Sequence, residues 1–146
     1  MGVEGIVGVR DLAARMGTVP AELRAELRPK LRAAGTIVAD QAKANASWST
    51  RIPAAIGVRT SFGTRAGGVT IRVDSVKAPH ARPYEGLSAG GGRGTFRHPV
   101  YGHDVWVTEA TRPFLMPAVR AKRFQVILTV DQAIKSALRT LGGIRA

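Results

Sequence analysis

The sequence predicts an α+β fold, with a long N-terminal helix, kinked or broken at a proline, and a C-terminal helix packed on a small antiparallel sheet with a long hairpin. Three observations predict it. Apolar residues recur at steps of three and four from Pro20 to about Ala46, and again after Pro117, which is the period of one helix face. Between Ile56 and Val73 the period falls to two, as in half-buried strands. The resulting order is helix, hairpin, irregular loop, short strands, helix, and it places helices on one face of an antiparallel sheet.

Each element has its own local reason. Val9, Leu12, Ala13 and Met16 share one helical face, and Gly17 follows where a left-handed cap is often needed. Thr18 and Pro20 signal a new start. Leu23, Leu27, Leu31, Ala34, Val38 and Ala42 then form a stripe, with Glu22 and Glu26 near the positive end of the helix dipole. Pro29 lies inside this stretch and removes one backbone hydrogen bond, so a kink or break is expected there. Asn45, Ser47, Ser49 and Pro53 end it.

Ile56, Val58, Thr60 and Phe62 alternate with Gly57, Arg59 and Ser61, and Val69, Ile71 and Val73 alternate with Thr70, Arg72 and Asp74. The turn-rich stretch Gly63 to Gly68 joins them as a hairpin, expected to lay its apolar face on the long helix. Lys77 to Gly94 holds Pro79, Pro83 and a glycine run, and a flexible loop is expected over about 77–97. Phe96 to Tyr101 and Val105 to Thr108 read as short strands around Gly102, with Pro99 pointing to an edge. Pro117 suits the first turn of the last helix. Phe124, Ile127, Leu128, Ile134, Leu138 and Leu141 are its expected buried face, and Gly142-Gly143 its end. Trp106 and Phe114 read as core anchors. All 146 residues suit a single domain.

Composition narrows the chemistry. The chain carries 22 Lys plus Arg against 10 Asp plus Glu, a net charge of +12, and 17 of the basic residues are Arg. Such a surface attracts polyanions. Yet the basic residues are dispersed from Arg10 to Arg145, and aromatics for base stacking make up only 5%. The choice between a nucleic-acid footprint and a simple arginine bias stays open at this point. With no Cys there is no disulfide framework, thiolate nucleophile or Cys-ligated zinc, which fits a reducing compartment. Glu4 and Asp11 interrupt the apolar start, unlike a signal peptide, and the apolar runs are too short to span a membrane.

No catalytic arrangement stands out. The G-x-S-x-G elbow is missing, and the serines have ordinary settings. His80, His98, His103 and Asp104 are near one another in sequence, but their number and spacing fall short of a metal site. The run Gly90 to Gly94 leads into a strand rather than the Lys-Ser/Thr helix start of a P-loop. No catalytic residue, cofactor or metal is expected, and the protein is expected not to be an enzyme.

Two motifs remain, Pro83-Tyr84-Glu85-Gly86 and Arg112-Pro113-Phe114-Leu115-Met116-Pro117-Ala118. Together with Gly8-Val9-Arg10-Asp11-Leu12 and the leucine stripe after it, they resemble the small neck or tail-completion (head-to-tail connector) proteins of tailed bacteriophages. The C-terminal motif is similar to that family's Arg-Pro-Phe-Leu-x-Pro-Ala signature. The middle one departs from its pattern, because Glu85 is followed directly by Gly86 with no aromatic between. The segment Phe96 to Gly102 looks like a version found in phages of actinobacterial hosts.

The resemblance implies a virion protein, made in the host bacterial cytoplasm, that forms a homomeric ring between connector and tail tube. Its implied partners are itself, the neighbouring connector and tail proteins, and genomic DNA that passes through without sequence-specific recognition. No membrane is involved. The alternatives are a tail terminator ring, within phage structure, and a basic nucleic-acid-binding protein, from another class. The expected assembly interface comprises Tyr84, Glu85, Gly86, Arg93, Phe96, Arg112, Pro113, Phe114 and Pro117. Arg112 either braces a neighbouring element or forms an internal ion pair with Glu85 or Glu109.

Overall fold

The computed structural model describes residues 20–63, 67–87 and 94–143. The helix expected over Val9 to Met16, the hairpin tip at 64–66, and residues 88–93 with Arg93 lie outside them. The elements run α1 (Ala21–Asn45), α2 (Arg51–Ala55), β1 (Ile56–Phe62), β2 (Gly67–Val73), α3 (Ala81–Glu85), β3 (Thr95–Pro99), β4 (Trp106–Ala110) and α4 (Leu115–Gly143). This is the expected α+β class. Its strands form two separate two-stranded sheets, β1 with β2 and β3 with β4.

α1 passes through Pro29 as one continuous helix. The carbonyl that loses its donor there belongs to Ala25, and both residues are exposed, so water can take the place of the missing N–H. Of the expected kink or break, the break is therefore absent.

By its contacts the chain divides into two units, one of Met1–Ile37, Val58–Ile71 and Arg123–Ala146, the other of Val38–Gly57 and Arg72–Lys122. In the first, Leu27 and Leu31 of α1, Phe62 of β1 and Ala133 and Ala137 of α4 make the core, with Leu23, Val69, Val130 and Ile134 packed against it. The hairpin thus lies on the long helix, as its alternation predicts. At the crossing α1 carries Gly35, where a Cβ would fall 2.7 Å from Val58 Cγ1 and closer still to Val69 Cγ1. Only glycine permits that approach. The Arg28 guanidinium lies over the Phe62 ring at 5.1 Å, and Lys30 Nζ donates to Ser136 Oγ at 2.9 Å.

The face of α4 that is buried here differs from the expected one. Val130, Ala133, Ile134 and Ala137 point to the core. Phe124 (79% exposed), Ile127 (52%), Leu128 (62%) and Leu138 (56%) face solvent. Of the six residues expected to be buried, Ile134 alone packs on the core, and the side chain of Leu141 lies outside the description. The helix is apolar around most of its circumference in this stretch. Periodicity therefore could not choose between a face with large residues and one built on Ala133 and Ala137, whose small side chains admit a close neighbour.

The second unit buries mostly small residues, among them Ala39, Ala42, Ala46, Ala55, Ala78, Ala81 and Ala118, around the larger Ile52, Phe96 and Phe114. After β2, Asp74 Oδ1 accepts the N–H of Val76 at 2.9 Å, and the Asp74 N–H donates to the Ala55 carbonyl at 3.0 Å. These bonds fix the turn that leads to α3. The stretch expected to be irregular contains one short helix, α3. β3 and β4 pair antiparallel, with Phe96 opposite Glu109 and His98 opposite Val107. Phe114 is buried as expected. Trp106 is exposed, and the Arg97 guanidinium covers its ring at 5.8 Å.

Candidate functional site

The two motifs singled out in the sequence meet in the second unit. Short helix α3 presents Tyr84 and Glu85 and stops at Gly86, whose φ of +87° is left-handed. The Gly86 N–H bonds the Pro83 carbonyl at 2.9 Å and the Leu87 N–H bonds the Arg82 carbonyl at 3.2 Å, closing the helix end. A side chain at position 86 would be strained in that conformation, which gives a physical reason for glycine directly after Glu85.

The Glu85 carboxylate sits on the start of α4. Its Oε2 accepts the backbone N–H of Phe114 at 2.8 Å and of Leu115 at 2.9 Å, and its Oε1 that of Met116 at 2.7 Å. The Arg112 N–H donates to the Tyr84 carbonyl at 2.8 Å. A helix start normally leaves backbone donors without partners. Here every N–H from Arg112 to Met116 is taken, while Pro113 and Pro117 have none to satisfy. The negative carboxylate also suits the positive end of the dipole of a 29-residue helix. The Arg-Pro-Phe-Leu-Met-Pro sequence is thus matched, donor by donor, to one acidic side chain.

Tyr84 organises the other side. Its ring meets Trp48 edge-on at a centroid distance of 4.7 Å and Phe96 at 5.0 Å, with His80 at 6.1 Å. Its hydroxyl donates to Glu109 Oε2 at 2.7 Å, and His98 Nε2 lies 3.5 Å from Glu109 Oε1. The Tyr84 hydroxyl holds the Glu109 carboxyl below the usual carboxylate range, and partial desolvation opposes this more weakly. The same hydrogen bond, then burial, raises the Tyr84 hydroxyl above its ordinary range.

Arg112 packs on an aromatic ring. Among the described residues its guanidinium lies over the Trp48 ring, 5.3 Å from the centroid, with no ion pair to Glu85 or Glu109. Of the expected interface residues, Gly86, Arg112, Pro113 and Pro117 are exposed, Tyr84 and Glu85 are half-buried, and Phe96 and Phe114 are buried. Sequence reading missed Trp48, and it missed Asn45, whose Nδ2 donates to the Phe114 carbonyl at 3.0 Å. The available signal was the Asn-x-x-Trp step just where the α1 stripe ends. The sequence offers Glu109 as a partner for Arg112, and the structure pairs it with Tyr84 and His98 instead.

Among the described residues no three His, Asp or Glu side chains converge as a metal-binding group, and no helix is long and apolar enough to cross a membrane. The site is a bracing joint that fixes where a long helix starts. Residues 10–85, just over half of the chain, match the family described as "Bacteriophage HK97-gp10, putative tail-component", and the protein belongs to this HK97-gp10-like family. The resemblance to neck and tail-completion proteins read from the sequence is borne out at that level. The protein is a tail-related structural component of a phage virion, associated with other virion proteins. The match ends at Glu85, so the segment Arg112 to Ala118 lies beyond it. No curated protein and no solved structure gives a significant match.

Proposed function

We propose that this protein is the subunit of a homomeric ring at the head-to-tail junction, a neck or tail-completion protein that joins connector to tail tube and catalyses no reaction. One observation carries the reading. Four large apolar side chains, Phe124, Ile127, Leu128 and Leu138, stand in water along a single face of α4. Phe124, Ile127 and Leu128 form an apolar patch, and the exposed Asp131–Lys135 ion pair separates it from Leu138 on the same face; an apolar patch with a polar border marks an interaction surface. A second copy of the chain supplies the cover, and contacts between unlike patches of identical chains close into a ring when the rotation closes.

The Tyr84–Glu85–Arg112 joint serves this role by fixing where α4 begins. Gly86, Arg112, Pro113 and Pro117 remain at the surface for neighbours, with Arg93 the further candidate from the sequence. Residues 1–146 act as a single domain in this proposal. The net charge of +12 suits a ring through which genomic DNA passes, held by its phosphates and not read by sequence.

A phage carrying a disrupted gene tests the assignment. The expected phenotype is DNA-filled heads and finished tails that fail to join. Overlong tails would make the protein a tail terminator instead. A chain that stays monomeric and binds duplex DNA with a steep salt dependence would make it a basic nucleic-acid-binding protein.

A further inference from the structure

The second unit holds a hole and a knob that do not meet within one chain. The hole is an apolar pocket of about 210 Å³ beside the start of α4, floored by Phe114 and walled by Ala78, Pro79, Leu87 and Leu115. An engineered apolar cavity of about 150 Å³ binds benzene, so one aromatic ring fits this space. Arg82 stands exposed at the rim, with no ion pair among the described residues.

The knob is the tip of the β3–β4 hairpin. The Val100 N–H bonds the Val105 carbonyl at 2.8 Å and the His103 N–H bonds the Val100 carbonyl at 3.1 Å, with Gly102 left-handed at φ +79°. This tight turn presents Tyr101 with its whole surface in water, and Asp104 is exposed beside it without an ion-pair partner among the described residues. A rigid hairpin that offers an aromatic side chain and a carboxylate is complementary to an apolar pocket with an arginine at its rim.

We propose that the β3–β4 hairpin of one copy docks on the pocket of a second copy, with Tyr101 in the apolar space and Asp104 against Arg82. This rests on the ring reading and names one of its contacts. Knob and hole are different patches, so the contact runs head to tail and leaves one copy with a free hole and the other with a free knob. An aromatic anchor in a desolvated pocket, ringed by weaker polar contacts, is the usual arrangement of a specific interface.

The chain has no cysteine, which makes the test clean. Arg82→Cys and Asp104→Cys are made as separate variants, mixed and oxidised. The expected product is a mixed disulfide dimer, at least about tenfold more abundant than either variant yields alone. Adding Tyr101→Ser to the Asp104→Cys chain is expected to cut that yield by about tenfold, with thermal unfolding of the monomer unchanged because Tyr101 is fully exposed. Equal cross-linking in the mixture and in the separate variants, or no effect of Tyr101→Ser, would overturn the contact. A wild-type ring by native mass without the mixed disulfide would reject this contact and leave the ring standing. A solitary wild-type chain without the disulfide would reject both. The disulfide with a solitary wild-type mass would support the contact and reject ring closure.

Discussion

The carboxylate of Glu85 accepts the backbone N–H of Phe114 at 2.8 Å, although 29 residues separate them. One oxygen of the same side chain takes the next N–H as well, and the other oxygen takes the one after that. A helix cap supplied from a distant element couples two segments that must be correct together. Removing the cap leaves three donors to find water, beside a residue that is almost fully buried. Glu85→Ala is expected to cost about 2 kcal/mol in chemical denaturation, the range of a lost cap with charge-assisted bonds. Glu85→Gln, which keeps one acceptor oxygen, is expected to cost less. Hydrogen exchange at Phe114, Leu115 and Met116 is expected to quicken in both. A loss below about 0.5 kcal/mol for Glu85→Ala would show that the carboxylate is not holding the helix start.

Phe114 itself is 1% exposed and floors the pocket beside α3. Phe114→Ala is expected to cost about 3–5 kcal/mol, the range for deleting a buried ring and leaving its cavity. A variant that melts like wild type and fails only in assembly would mean that the ring packs against a neighbouring copy.

At Gly35 two effects compete. Gly35→Ala in mid-helix gains about 1 kcal/mol of helix propensity. The new methyl group meets Val58 and Val69, both β-branched and with little freedom to yield, and such overpacking costs about 1–3 kcal/mol. The clash is expected to win, with a net loss near 1 kcal/mol and a lower melting temperature. A rise in melting temperature would mean that the β1–β2 hairpin can shift away from α1.

The Tyr84–Glu109 pair makes stability depend on pH at both ends. The folded Glu109 carboxyl lies below its unfolded range, so its contribution is present above the unfolded value and is lost as pH falls through the folded one. The folded Tyr84 hydroxyl lies above its unfolded range, so its contribution is present below the unfolded value and is lost as pH rises through the folded one. Solvent screening keeps both effects small, since 43% of the Glu109 side chain is exposed. Urea midpoints measured against pH are expected to show a neutral plateau with a fall at each end. In Tyr84→Phe the alkaline fall attributable to this group should vanish and the acid fall should shrink. A variant profile parallel to wild type across the whole range would remove the pair from the account of stability.

In the proposed ring the exposed face of α4 serves assembly rather than folding. Phe124→Ser with Leu128→Ser removes two side chains that are 79% and 62% exposed. Monomer stability is expected to change by no more than about 0.5 kcal/mol per site, while self-association is lost. A large drop in melting temperature would place these side chains in the folded core.

Much of the fold was legible because its signals are local. The α1 stripe from Leu23 to Ala42, the alternation of Ile56 to Phe62, and the prolines at the start of α4 each name their own element. Pro29 left a kink or a break open, and the helix runs on through it where the freed Ala25 carbonyl is exposed to water, an exposure set by tertiary structure. α3 was hidden among Pro79, Pro83 and the glycines, since a helix of five residues leaves no periodic trace. The candidate site was legible as two motifs but not as one joint. Nothing local to Tyr84-Glu85 says that its donors are supplied by Phe114 to Met116, or that Trp48 lies under Arg112. The face of α4 was misread for a related reason. An apolar stripe states that something covers it, and the identity of the cover is a property of the folded or assembled molecule.

The central claim is that this protein works as one subunit of a closed ring. Native mass measurement of the purified full chain tests it most directly, across a concentration series and beside the Phe124→Ser, Leu128→Ser variant. A single assembly of fixed copy number for wild type, reduced to the 15.5 kDa monomer in the variant, is the expected result. A wild-type chain that stays at the monomer mass at every concentration, or that grows without limit into open filaments, would contradict it.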